Sequence, residues 1–201
     1  ELHFRFNMRE KESGMRVIAG SARRLLLSVP EGKDTRPTTD RIKETLFNIL
    51  QFDLVDQDVL DLFAGSGALG IEALSRGAKR AVFCDSGKKA LACIEQNIAR
   101  CHFQEQALVY GGDFHSALRS LEGKDYHFGI VFLDPPYGED LAKEALRRLV
   151  KSSMVGKDTV FVVEAALEED FSELEEEGYQ ILREKLYKTN KHIFLRLQEA
   201  V

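Results

Sequence analysis

At 201 residues the chain is long enough for one domain with a full core and a small extension. Its net charge of −5, taken alone, argues against a nucleic-acid partner; no apolar run approaches a membrane span, and Glu1 to Gly14 is too polar for a signal peptide. Cys84, Cys93 and Cys101 are odd in number and form no Cys-x-x-Cys pair, so neither a disulfide framework nor a metal site is expected, and the expected compartment is cytoplasmic.

Residues 1–14 show no periodicity and read as a leader or disordered arm, with Met15 as the expected true start. Arg16–Gly20 and Leu25–Val29 read as two short strands of a hairpin, ended by Pro30 and Gly32. Charge here runs against the rest of the chain. Between Met15 and Lys43 seven bases (Arg16, Arg23, Arg24, Lys33, Arg36, Arg41, Lys43) face three acids (Glu31, Asp34, Asp40). As a cluster they are a better guide to partners than the total, and Arg16, Arg23, Arg24, Lys33, Arg41 and Lys43 are read as phosphate-contacting side chains. Thr35-Arg36-Pro37-Thr38 is a loop expected to cover a ligand site. Thr38 or Thr39 caps a helix through about Phe52, with Ile42, Leu46, Ile49 and Leu50 as its apolar stripe.

From Asp58 onward strands and helices alternate. Strands are predicted at Val59–Phe63, Arg80–Cys84, Ala107–Tyr110, Phe128–Leu133, Thr159–Val163, Tyr179–Leu186 and His192–Leu197. Helices are predicted at Ala68–Arg76, Lys88–Cys101, His115–Leu121, Asp140–Val150 and roughly Phe171–Glu176. This pattern implies an α/β fold with a mainly parallel sheet covered on both faces. Only residues 187–191, with Thr189, Asn190 and Lys191 as the turn, separate the last two strands, which must therefore form an antiparallel edge hairpin. A doubly wound sheet ending this way is the plan of the Rossmann-like S-adenosylmethionine-dependent methyltransferases. Residues 15–57 are then an N-terminal extension and residues 58–201 the catalytic domain. Eight acids without a base from Glu164 to Glu177 read as a solvated helix face, and Glu164, ending its strand, as structural.

Two motifs carry chemistry. Asp134-Pro135-Pro136-Tyr137 follows the apolar run 129–133, at the carboxyl end of a strand, where open α/β sheets hold ligands. Two prolines fix φ twice and remove two donors. The resulting stiff corner presents a carboxylate, bare carbonyls and an aromatic ring, a set that suits an amine on a flat ring. A strand-ending turn with a surface tyrosine is the bland alternative. The second motif, Asp61-Leu-Phe63-Ala64-Gly65-Ser66-Gly67-Ala-Leu-Gly70, leaves a strand and enters a helix, so its glycines allow a tight turn and close ligand approach. Read as Gly-x-Gly-x-x-Gly it also fits a dinucleotide site, with Asp85 twenty residues beyond Gly65 for ribose hydroxyls. Asp61 favours S-adenosylmethionine, because an acid there repels pyrophosphate and attracts an amino group. Asp85 with Ser86 would hold the ribose, and Asp113 with Phe114 the adenine amine and ring. Each of these acids precedes a helix, so a capping role is the alternative for any one of them.

Together with Thr35-Arg-Pro-Thr-Thr-Asp-Arg-Ile-Lys-Glu-Thr-Leu-Phe-Asn48, these motifs resemble the RsmD family over nearly the whole chain from Met15. That resemblance implies a bacterial methyltransferase acting on the exocyclic N2 of a guanine, position 966 of 16S ribosomal RNA, within a small subunit or its precursor, as a metal-free monomer away from membranes. Asp85-Ser-Gly-Lys88 departs from the pattern, where an acid followed by a bulkier polar turn is expected. Asp134, Pro135, Pro136 and Tyr137 would form the catalytic corner. The tetrapeptide itself leaves adenine-N6 and cytosine-N4 open as targets on DNA or RNA. A nicotinamide-dependent oxidoreductase would leave Asp134-Pro-Pro-Tyr137 without a role, and a non-catalytic RNA-binding module would leave the acidic row without one.

Overall fold

The computed structural model describes residues 15–30 and 40–199; Lys33, Thr35, Arg36, Pro37, Thr38 and the arm 1–14 lie outside the described residues. Two short strands open the chain, β1 (Met15–Arg16) and β2 (Leu26–Leu27), paired antiparallel. After α1 (Asp40–Ile49) come β3 (Asp58–Asp61), α2 (Ala68–Ser75), β4 (Arg80–Asp85), α3 (Lys88–Arg100), β5 (Ala107–Gly111), α4 (Phe114–Leu121) and β6 (Phe128–Leu133). Next follow α5 (Leu141–Leu149), β7 (Val160–Ala166), a 3-10 turn at Ser172–Glu175, β8 (Tyr179–Leu186) and β9 (Asn190–Leu197). Strands β3 to β9 make one sheet in the order β5-β4-β3-β6-β7-β9-β8.

The strands are apolar on both faces because helices cover both. Val59, Phe83, Ile130, Phe132 and Val162 point to the side of α1, α2 and α3. Their alternates Leu60, Val82, Val131, Leu133 and Val163 point to α4 and α5. Strands β3 to β7 are parallel, whereas β9 inserts between β7 and β8 and pairs antiparallel with both, as the short loop before it requires. The strand order reverses between β3 and its two neighbours β4 and β6, which opens a crevice above the carboxyl ends of β3 and β6. Among the described residues no helix is long and apolar enough to cross a membrane.

The N-terminal hairpin is shorter than its sequence predicts, and side chains of the main body hold it. Glu72 on α2 accepts from the backbone N–H groups of Ile18 (2.8 Å) and Ala19 (3.1 Å). Ser75 Oγ accepts from Ala22 N at 3.0 Å, and Asn97 on α3 accepts from Ser28 N at 2.8 Å while its amide donates back to Ser28 O at 2.9 Å. Val17, Ala22 and Leu27 join the same core cluster as Leu46, Phe47 and Val59.

Two expectations are corrected here. Lys43 is not a surface base: it is fully buried, its Nζ lies 3.3 Å from Glu72 Oε2, and it donates to the Arg16 carbonyl. Lys43, Leu46, Phe47 and Leu50 fall on one helical face, so the lysine heads the buried stripe and cannot serve as an outward phosphate contact. Burial lowers its pKa, opposed by Glu72. The acidic run Glu164–Glu177 is likewise no helix face. It spans the end of β7, a turn and the 3-10 segment, and Arg147 on α5 pairs with Glu173 (2.9 Å) and Glu177 (2.8 Å).

Candidate active site

A cavity of about 880 Å³ occupies the crevice. Its wall includes Asp61, Phe63, Ala64, Gly65, Ser66, Asp85, Ser86, Asp113, Phe114 and all of Asp134, Pro135, Pro136 and Tyr137. Residues picked from four separate strand ends thus converge on one space. Gly67 is not on that wall; it caps α2 with φ 77°, where a side chain would be strained. Gly70 does a third job, because a Cβ there would sit 2.3 Å from Phe83 Cε1, so the glycine sets how closely α2 approaches β4. Gly65 differs again: φ is 57° and nothing lies within 4 Å of a would-be Cβ, so its backbone faces open cavity.

Carboxylates fix this loop. Asp61 is buried and accepts from Gly70 N at 3.1 Å. Burial pushes its pKa up to about 7, aided by the charge of Asp85 and opposed by the Gly70 N–H. Asp85 accepts from Gly65 N through Oδ2 (2.9 Å) and from Gly87 N through Oδ1 (2.8 Å). The Asp85-Ser-Gly turn that departs from the family pattern is therefore a tight loop closed on its own acid, and that acid also braces the glycine cradle. Asp113 caps α4, its Oδ1 accepting from Ser116 N at 2.8 Å, and that hydrogen bond holds its carboxyl below the usual aspartate range. Phe114, beside it, is buried against Phe63 with ring centroids 5.6 Å apart and planes tilted by 54°, which makes an apolar wall.

At the β6 end Asp134 is half-buried, Pro135 buried and Pro136 exposed, while Tyr137 is 44% exposed. The Tyr137 hydroxyl donates to Glu164 Oε1 at 3.1 Å. Glu164, read from sequence as structural, is the residue that reading missed: it lines the same cavity. Asn190 donates to its Oε1 at 2.8 Å, and His192 Nε2 lies 3.4 Å from its Oε2. The His192 Nδ1 is 3.2 Å from the Tyr187 hydroxyl; with that hydroxyl donating, Nε2 carries the proton toward Glu164. Burial would raise the Glu164 pKa, but His192, Tyr137 and Asn190 together hold it below the ordinary glutamate value. An acid at a strand's carboxyl end had already singled out Asp61, Asp85 and Asp134, and the same signal applied here would have found Glu164.

The basic residues fall elsewhere. Arg16, Arg23, Arg24 and Arg41 are exposed and off the cavity wall, and Arg16 pairs with Asp40 at 2.9 Å. The cavity joins an open backbone cradle, an aromatic wall and several carboxylates, a donor-seeking set that fits an adenosine bearing an amino acid.

Comparison with known proteins gives this geometry a family. The chain is 37% identical over 173 residues to "Ribosomal RNA small subunit methyltransferase D" of Haemophilus influenzae, covering 85% of this chain and 88% of that protein. It is 36% identical over 154 residues to the protein of the same name from Escherichia coli, covering 77% of this chain and 76% of that one. The solved structure of yhhF from Escherichia coli superimposes with a TM-score of 0.77 at 32% identity, covering 92% of this chain and 98% of that chain. The profile of the family described as "Conserved hypothetical protein 95" matches residues 15–196. The chain therefore belongs to this family, the RsmD family that its motifs resemble.

Proposed function

We propose that the protein methylates ribosomal RNA with S-adenosylmethionine, at the exocyclic N2 of a guanine of the small subunit. The observation that carries this reading is the open Gly65 cradle after β3, which shares one cavity with Asp134-Pro135-Pro136-Tyr137 after β6 at the point where the sheet order reverses. The names of the Haemophilus and Escherichia relatives support ribosomal RNA as the substrate.

S-adenosylmethionine supplies an electrophilic methyl group on a sulfonium. Asp61 would attract the amino group of its methionine part, Asp85 and Ser86 the ribose hydroxyls, and Asp113 with Phe114 the adenine. The guanine amine is a poor nucleophile because its lone pair is delocalised into the ring. Asp134 and a carbonyl of the Pro135 region accept its two N–H groups and turn the lone pair toward the methyl. Alignment and fixed acceptors facing a nitrogen that becomes positive are the main sources of acceleration. After transfer the nitrogen is acidic, and Asp134 or water takes the proton. The test is transfer of labelled methyl to small-subunit RNA, naked and in particles, followed by nucleoside analysis; N2-methylguanosine is the expected product, and any other methylated nucleoside rejects the base assignment.

Tyr137 offers its exposed ring to the extruded base, a contact worth roughly 1–3 kcal/mol. Tyr137→Ala should cut kcat/KM about 10- to 100-fold while calorimetry shows cofactor affinity nearly unchanged; equal loss of both counts against a stacking role. Phosphate contacts are assigned to Arg16, Arg23, Arg24 and Arg41 on the extension 15–57 and, from sequence, to Lys33. Reversing the charge of Arg23 and Arg24 together should weaken RNA binding and reduce the slope of log K against log salt by about two, and an unchanged slope rejects this surface.

A further inference from the structure

We propose that Glu164 is the residue that selects guanine, its carboxylate accepting the N1–H of the base whose 2-amine is received by Asp134. The assignment rests on the base reading above and adds to it the group that discriminates. Strands β6 and β7 run parallel, at the usual spacing of about 4.8 Å, with Leu133 opposite Val163 as their last pair; Asp134, just past β6, and Glu164 on β7 are the residues that follow. Both line the cavity.

Glu164 is held from two other elements. Its Oε1 accepts from Tyr137 and Asn190, which uses both lone pairs of that oxygen. Its Oε2 takes the longer 3.4 Å contact with His192 and retains capacity for a second donor. The carboxylate is thus fixed in place before any base arrives. Its link to Tyr137 ties the group that reads the edge of the base to the ring that stacks on its face.

The three amine-bearing bases differ at the atom next to the amine-bearing carbon. Guanine presents N1–H there, a donor beside the amine. Adenine presents N1 and cytosine N3, each a bare lone pair. A second carboxylate beside the amine acceptor therefore attracts guanine and repels the other two, which supplies the discrimination that Asp134-Pro135-Pro136-Tyr137 cannot.

The test uses small-subunit RNA, in whichever form accepts methyl, with the methylated guanine replaced by 2-aminopurine. That analogue keeps the 2-amine, exchanges the N1–H for a lone pair and lacks O6, so only the change in preference between wild type and a Glu164 variant reports on the N1 contact. Wild-type protein should prefer guanine by at least about 100-fold in kcat/KM. In Glu164→Gln the side-chain amide can donate to the analogue's N1, and the preference should fall at least about tenfold, with cofactor affinity unchanged. Comparing ratios cancels the intrinsic reactivity of the two amines. A wild-type preference within about threefold, or a ratio that Glu164→Gln leaves unmoved, overturns the assignment. If that variant does not fold, Glu164→Ala takes its place, and a ratio it leaves unmoved overturns the assignment. A methyl group found on adenine or cytosine overturns the base reading and this assignment together, whereas N2-methylguanosine with an unmoved ratio overturns Glu164 alone.

Discussion

Asp134→Ala should lower methyl transfer by about a thousandfold or more while the cofactor dissociation constant stays within about threefold. The side chain stands half-buried just past β6, after the fully buried run Phe128–Leu133, whose pairing with β3 and β7 holds the strand that leads to it. Alanine removes the carboxylate that accepts from the amine and leaves the strand, Pro135 and Pro136 in place. Single-turnover measurement isolates the chemical step, and a variant keeping more than about a tenth of the wild-type rate defeats the mechanism. Asp134→Asn keeps one acceptor oxygen but places an N–H donor against the amine, so it should be nearly as impaired as alanine.

Glu72→Ala should destabilise the protein by about 3–5 kcal/mol. Glu72 is fully buried and meets four donors: the N–H groups of Ile18 and Ala19, Lys43 Nζ at 3.3 Å and Arg76 Nε at 2.8 Å. Its removal strands a buried ammonium and two backbone donors at the junction of hairpin, α1 and α2. Denaturant unfolding measures the loss. A cost under about 1 kcal/mol would mean that water reaches Lys43 and the junction is looser than its packing indicates. The double variant Glu72→Ala with Lys43→Met should recover part of the loss, since the fully buried ammonium is then gone and Arg76, which also loses Glu72, reaches solvent.

The parallel core was legible because each of its strands is an apolar run between turn signals, and Phe128–Leu133 matches its predicted span without change. The acids at strand ends were legible for the same reason, once the strands had been placed. What local sequence could not reveal was pairing across the sheet. Glu164 gains its role through register with His192 on an antiparallel strand twenty-eight residues later. Lys43 shows the complementary error: its basic neighbours suggested solvent, and only Glu72 on another helix explains a lysine at a core position. Gly67 was counted among ligand contacts because the motif reads as one unit, yet its three glycines serve a cradle, a cap and a helix packing separately.

Strand β9 occupies the sheet position between β7 and β8, and being antiparallel it brings its first residues, Asn190 and His192, to the rim where the parallel strands end. The catalytic rim therefore draws partners from opposite halves of the chain, and a growing polypeptide that has made β3 to β7 still lacks the side chains that hold Glu164. On the proposed assignment, competence to read the base arrives late in synthesis, once β9 has been made. Any chain cut short of residue 190 would carry the glycine cradle and the Asp134 corner but neither partner from β9.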